Sequence, residues 1–156
     1  MSDKRKYLEE NDLRLIVRYH RNMKRMSRNE LANIVGVHYQ LIFKFETGQS
    51  SISVEKLVEI LRVLGLNIYI YDYEFGVIYK KDGCVCYRDI IDNIVFYRKE
   101  RKLSRKKLAD SSSLSEMTVM KCEKGTVLSI KNLLKILKTL SLRIILLDKA
   151  TCDLTK

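Results

Sequence analysis

Side chains suited to catalysis or metal binding are few and scattered in this sequence. His20 and His38 stand singly, with no second metal-type residue at a ligand spacing. Cys84 and Cys86 would share one face of a strand, while Cys122 and Cys152 lie far off in the chain; together they make no zinc set and read as reduced thiols. No phosphate-cradling glycine loop, nucleophile motif or paired-carboxylate arrangement occurs. An enzyme is not expected, nor a metal or cofactor. What the chain does carry is positive charge: a formal +11 and a pI near 9.5, with a dense run, RKERKLSRKK, around Arg105 and Lys106. That balance favours an anionic partner, nucleic acid ahead of a membrane surface. The start, MSDKRKYLEE, lacks the apolar core of a signal peptide, and no later run approaches the ~18 apolar residues of a membrane span. A soluble, cytoplasmic protein is the expectation.

The elements that must position these charges occur twice. SVEKLVEILRVLGLNIYIYD, from Ser53 to Asp72, returns as SIKNLLKILKTLSLRIILLD, from Ser129 to Asp148. Upstream, once one residue is dropped, Asp12, Arg21, Ser27, Arg28, Lys44 and Glu46 match Asp89, Arg98, Ser104, Arg105, Lys121 and Glu123. The repeating unit is therefore half the chain, and each half alone is near the lower limit for a stable core, so the halves should lean on each other. Between them, YEFGVIYKKDGCVCYR is rich in tyrosine and β-branched residues and broken at Asp82-Gly83, which predicts a β-hairpin. The division expected is a first unit over 1–73, a connector over 74–87 and a second unit over 88–156. Through Asp72 the chain carries 12 basic and 9 acidic side chains, against 18 and 10 in the remainder, so the second half is the more basic.

Each half reads as four short helices and a strand. Leu13, Val17 and His20, like Ile90, Ile94 and Tyr97, recur at helical spacing. Ser27 with Glu30 forms a capping box that starts a second helix, Gly36 suits a left-handed turn, and a third helix runs on to Gly48. Two short helices joined by a glycine turn make a helix-turn-helix. A fourth helix follows Ser53, and the alternating LNIYIYD then switches to strand.

The stretches MSRNELANIVGVHYQLIFKFETG and LSRKKLA...LSEMTVMKCEKG resemble the helix-turn-helix of the lambda-repressor/Cro (XRE-like) family, and the terminal strands resemble its HipB-type antitoxin branch. The resemblance implies a mainly α fold of two tandem lambda-repressor-like four-helix units, each ending in a β-strand, joined by the hairpin and sharing a small sheet. It implies a bacterial or phage origin and a sequence-specific double-stranded DNA-binding regulator, with the third helix of each unit in the major groove. It also implies structural ion pairs, Arg21 with Glu46 and Arg98 with Glu123. With Ile42 and Phe45 inward, helical spacing puts Tyr39, Gln40, Phe43 and Lys44 outward, and in the second unit Glu116, Met117, Met120 and Lys121. These are the expected base readers: Gln40 has the amide for a paired contact with adenine, while Lys44 and Lys121 reach guanine or phosphate. Arg28, Arg105 and Lys106, at helix starts, are expected to hold phosphates.

Phe43 and Met120 depart from the polar pattern of such helices, and Glu116 is awkward there for its charge. An apolar side chain there suits a thymine methyl or a protein contact, and Glu116 repels phosphate while accepting from cytosine. Ser113 stands where the first unit has Gly36, and Ser115 remains a good cap. Two other roles stay open: an antitoxin that also binds a toxin, and an anti-activator that grips protein with the same surface. Leu66, Ile68 and Ile70 alternate on one face of their strand, as do Leu142, Ile144 and Leu146. The two strands are expected to pair within one chain as a monomeric pseudo-dimer, the alternative being a homodimer, with the hairpin covering Tyr69 and Tyr71.

Overall fold

The computed structural model describes residues 8–72, 74–78 and 86–148. Its described elements run α1 (Glu10–Met23), α2 (Arg28–Val35), α3 (Tyr39–Glu46), α4 (Val54–Val63), β1 (Leu66–Asp72), β2 (Val77–Ile78), α5 (Tyr87–Glu100), α6 (Arg105–Ser111), α7 (Glu116–Glu123), α8 (Ile130–Thr139) and β3 (Leu142–Asp148). The order of four helices and a strand thus occurs twice. Serine side chains start most of the short helices: Ser27, Ser53, Ser104, Ser115 and Ser129 each accept from a backbone N–H one turn in. Each such cap satisfies an N–H that the helix itself leaves open, and its loss costs about 1 kcal/mol.

The core is continuous across both halves. Leu13, Val17, Leu31, Ile42, Phe45 and Leu57 are fully buried in the first half, and Ile90, Ile94, Leu108, Val119, Leu133 and Ile136 in the second. The sheet, ordered β2-β1-β3, joins them. β1 and β3 run antiparallel, from Leu66 opposite Asp148 to Asp72 opposite Leu142. At the centre of that register Tyr69 lies opposite Ile145, its own counterpart in the repeat. A second such meeting occurs where Ser53 bridges Ser129, the two helix-capping serines, beside a bond from the Val54 N–H to the Leu128 carbonyl at 2.9 Å. Meetings of this kind, residue against its own counterpart, are the pattern a two-fold relation between repeats produces.

One face of the paired strands carries Leu66, Ile68 and Ile70 with Leu142, Ile144 and Leu146, all buried or half-buried, as the alternation predicts. The other face is covered as well: Asn67 and Tyr69 are buried there and Tyr71 half-buried, so β1 is enclosed on both sides. Within the connector, Val77 and Ile78 pair with Asp72 and Tyr71. The turn before them approaches one of the two tyrosines expected under the hairpin: a Cβ on Gly76 would lie 3.7 Å from the Tyr71 hydroxyl. Asp82-Gly83 lies outside the described residues, and Tyr87 already belongs to α5.

Because β1 and β3 come from opposite halves and are buried together, neither half can melt while leaving the other its core. Calorimetry should show one thermal transition. Ile70→Ala, which opens a cavity at a fully enclosed site, should cost about 2–5 kcal/mol and move that transition as a whole. Two resolved peaks, of which only one moved, would refute the shared core.

Candidate nucleic-acid interface

The turn between α2 and α3 is built from backbone needs. Gly36 ends α2 at φ +78°, and its N–H and that of Val37 both reach back to the Ala32 carbonyl. His38 then caps α3, its Nδ1 accepting from the Gln40 N–H at 3.3 Å. In the second half Ser113 adopts φ +57°, a conformation that costs a residue with a Cβ more than it costs glycine. There Ser115 caps α7 at 3.1 Å. His38 as a cap was missed in the sequence, where it stood only as a lone histidine; its alignment with Ser115 was the available signal.

A buried carboxylate ties the three helices of each motif together. The Glu46 side chain is 0% exposed and receives Arg21 Nε at 2.6 Å, Arg21 Nη2 at 2.9 Å and Arg28 Nε at 2.6 Å. Arg21 spends its remaining reach on the Met26 carbonyl at 2.7 Å, just before α2. The second half repeats the arrangement: Arg98 grips Glu123 through Nε and Nη2, its Nη1 donates to the Leu103 carbonyl at 2.9 Å, and Arg105 Nε donates to Glu123 at 2.6 Å. Burial by itself raises both carboxyls, but hydrogen bonds from the paired arginines outweigh it and hold each below its ordinary value of 4.5. The same contact with Glu46 raises Arg28. Each cluster therefore stays ionised at neutral pH and carries one net positive charge.

The arginines at the helix starts are thus tethered rather than free, which the sequence did not reveal. Arg28 also lies over the ring of Phe43 at 5.2 Å, and Phe43 stacks on Tyr39 at 6.0 Å between centroids. Phe43 is half-buried by this stack, so it points outward less completely than helical spacing suggests. With Met120 in place of Phe43 the second half has no such stack among the described residues. The Arg105 side chain is 47% exposed against 24% for Arg28. The two sites share one scaffold and differ in how firmly the arginine is held.

Gln40 and Lys44 are exposed on α3, Tyr39 is 37% exposed, and Ile42 and Phe45 are fully buried behind them. On α7, Glu116, Met117 and Lys121 are exposed and Met120 is half-buried, while Lys106 is exposed beside Arg105 on α6. Cys122, on the inner side of α7, is pushed up to about 12 by burial and then by Glu123, so its thiol is inert at neutral pH. No group of histidines, cysteines and carboxylates among the described residues is placed to hold a metal ion, and no described helix is long and apolar enough to cross a membrane.

Because the folded state holds Glu46 and Glu123 below 4.5, their contribution is complete above that pH and is lost as the pH falls through the lowered folded values. Glu46→Gln leaves two arginines without their counter-ion and should cost about 3–5 kcal/mol at pH 7. Urea unfolding at pH 7 and pH 3 checks both points. Wild type should lose more stability between the two pH values than Glu46→Gln does; equal losses would count against the argument.

Residues 17–76, from the middle of α1 to the turn after β1, match the family model for an XRE-type helix-turn-helix. No curated protein and no solved structure matches the chain. The family so matched is one of DNA-binding regulators, usually without enzymatic activity.

Proposed function

We propose that the protein is a sequence-specific double-stranded DNA-binding regulator in which both halves, residues 1–73 and 88–156, are reading heads of the lambda-repressor type, arranged as a dimer within one chain. The observation that carries this reading is the meeting of repeat counterparts, Tyr69 opposite Ile145 and Ser53 bridging Ser129, which supports a two-fold relation of the halves. DNA-binding dimers use such an axis to set two groove-reading helices about one helical turn, ~34 Å, apart. The terminal-strand pairing likened to the HipB branch is here internal, so a second chain is not needed to complete the sheet.

Within each head the roles divide by chemistry. Gln40 and Lys44, exposed on α3, are the base readers of the first head, joined by Tyr39. Arg28 is held by Glu46 and Phe43 with its guanidinium at the start of α2, where helix N–H groups already favour phosphate, and it positions the head. In the second head Glu116, Met117, Met120 and Lys121 occupy the reading face, and Arg105 and Lys106 supply charge. The stack of Phe43 on Tyr39 and under Arg28 gives that aromatic an internal task, which favours DNA reading over an anti-activator surface. No feature of the described residues singles out a toxin partner.

Selection from a random DNA pool at physiological salt, followed by footprinting, tests the reading. A monomeric chain should protect two half-sites of different sequence, because α3 and α7 present different side chains. A perfect palindrome bound by two chains would overturn it. Among variants, Gln40→Ala should relax sequence preference, whereas Arg28→Ala and Arg105→Ala should weaken binding to all sequences alike. Phe43→Met should cost about 1 kcal/mol of stability, since a partly exposed cation–π contact and the stack on Tyr39 are lost, yet weaken binding as Arg28→Ala does, to a smaller extent. A changed base preference with Arg28→Ala would show the roles to be reversed.

A further inference from the structure

The start of each half's first helix lies against the other half. Leu8, Glu9 and Glu10 line a groove with Lys131, Leu134, Lys135 and Lys138 of α8, continued by Leu142 to Ile144 of β3. Across the axis, Cys86, Tyr87 and Arg88 line a groove with Glu55, Val58, Glu59 and Arg62 of α4, together with Lys124. The flank positions are repeat counterparts: Glu55 answers to Lys131, Val58 to Leu134, Glu59 to Lys135 and Arg62 to Lys138. The apolar centre is kept, while two charges are reversed.

The helix starts are reversed in the complementary sense. Acidic Glu9 and Glu10 share a groove with the lysines of α8, and basic Arg88, with Lys124, shares one with Glu55, Glu59 and Arg62 of α4. Direct ion pairs at these residues stay within each helix, Glu10 with Arg14 at 3.3 Å, Glu59 with Lys56 at 3.0 Å and Arg88 with Asp92 at 3.1 Å, so the groove charges act across the halves at longer range. Glu55 lies close enough to Tyr87 to contribute, after burial and Cys122, to pushing that hydroxyl up to about 12. Pairing first half with first half would set Glu9 and Glu10 against Glu55 and Glu59. Pairing second half with second half would set Arg88 and Lys124 against Lys131, Lys135 and Lys138. Both like-with-like arrangements gather more equal charges into one groove than the unlike arrangement does.

We propose that these two charge-reversed grooves are a pairing code: each half's α4 or α8 flank fits the opposite half of this chain and rejects its own kind. The code rests on the pseudo-dimer reading and explains how a chain with two similar halves avoids joining other copies through identical halves. Exposed pairs contribute little one at a time and are screened by salt, but a like-charge arrangement adds its penalty to the loss of attraction.

A cycle of charge reversals in the full chain tests the code. One variant carries Lys131→Glu, Lys135→Glu and Lys138→Glu, a second carries Glu9→Lys and Glu10→Lys, and a third carries all five. The first two should each lower Tm by about 2–4 °C in low salt. The third should lose clearly less than the two losses combined, because complementarity is restored with signs exchanged, and this coupling should shrink in 1 M salt. The cycle accounts for local costs, such as the capping bond of Glu9, since these enter the single and combined variants equally. Additive losses, or failure of both the three-site and five-site variants to fold, would overturn the code. Light scattering on the wild type separates the two claims: a dimeric wild type contradicts the pseudo-dimer itself, whereas a monomeric wild type with additive losses removes only the code.

Discussion

The structure depends on one constraint: β1 and β3 must pair so that each strand's centre meets its own counterpart. A slip of one residue would turn Leu66, Ile68 and Ile70 onto the face that now holds Asn67, Tyr69 and Tyr71, and polar Asn67 and Asp72 would exchange sides. The register therefore sets not only the sheet but the relation of the halves, since α4 runs directly into β1 and α8 into β3 through turns at Gly65 and Ser141, both at positive φ. Once that relation is fixed, the positions of α3 and α7 follow. Asp72 adds to the joint: it is buried, caps the turn after β1 through the Glu74 N–H at 2.9 Å, and receives Arg101, just past the end of α5, at 3.4 Å.

Within each half a second constraint acts at shorter range. Glu46 and Glu123 are buried anions, tolerable only with cations fully engaged on them. Satisfying Glu46 takes one arginine from α1 and one from α2, so the charge requirement alone orients three helices about the turn that Gly36 shapes. The scaffold that presents Gln40 and Lys44 is thus held from behind by electrostatics. The arginine that completes it, Arg28, also lies over Phe43 of the same helix and keeps 24% of its side chain exposed.

Much of this was legible in the sequence because it is periodic or local. The helix starts follow from serines at fixed spacing, the core from Leu13, Val17, Ile42 and Phe45, and the strands from alternation after Gly65. What escaped was set by contacts between distant elements or by unusual chemistry at a familiar place. His38 as a cap needed an imidazole to do what serine does in the other half. The tether from Arg28 to Glu46 and Phe43 joins side chains on two helices, and helical spacing predicts only which face a residue occupies, not what it touches there. Burial of the polar Asn67 likewise depends on what packs over β1, which alternation within one strand does not encode.

Internal pairing changes what each half is free to become. In a dimer of identical chains a substitution appears on both sides of the axis, so a lysine opposite its own copy is self-defeating and the two reading helices must stay the same. When the partner is the other half of one chain, each position has an independent counterpart. Glu55 and Glu59 can stand against Lys131 and Lys135 in the repeat, Phe43 against Met120, and Gln40 against Met117, without disturbing Glu46, Glu123 or the strand register. Differences fall at the half-to-half grooves and on the exposed faces of α3 and α7, and also inside, where Phe45 answers to Cys122 and Tyr69 to Ile145, while the buried carboxylates and their arginines are held alike. On the pseudo-dimer reading, that distribution is what a single chain permits: the ion clusters that hold each motif together stay equivalent, and the rest of each half is free to diverge.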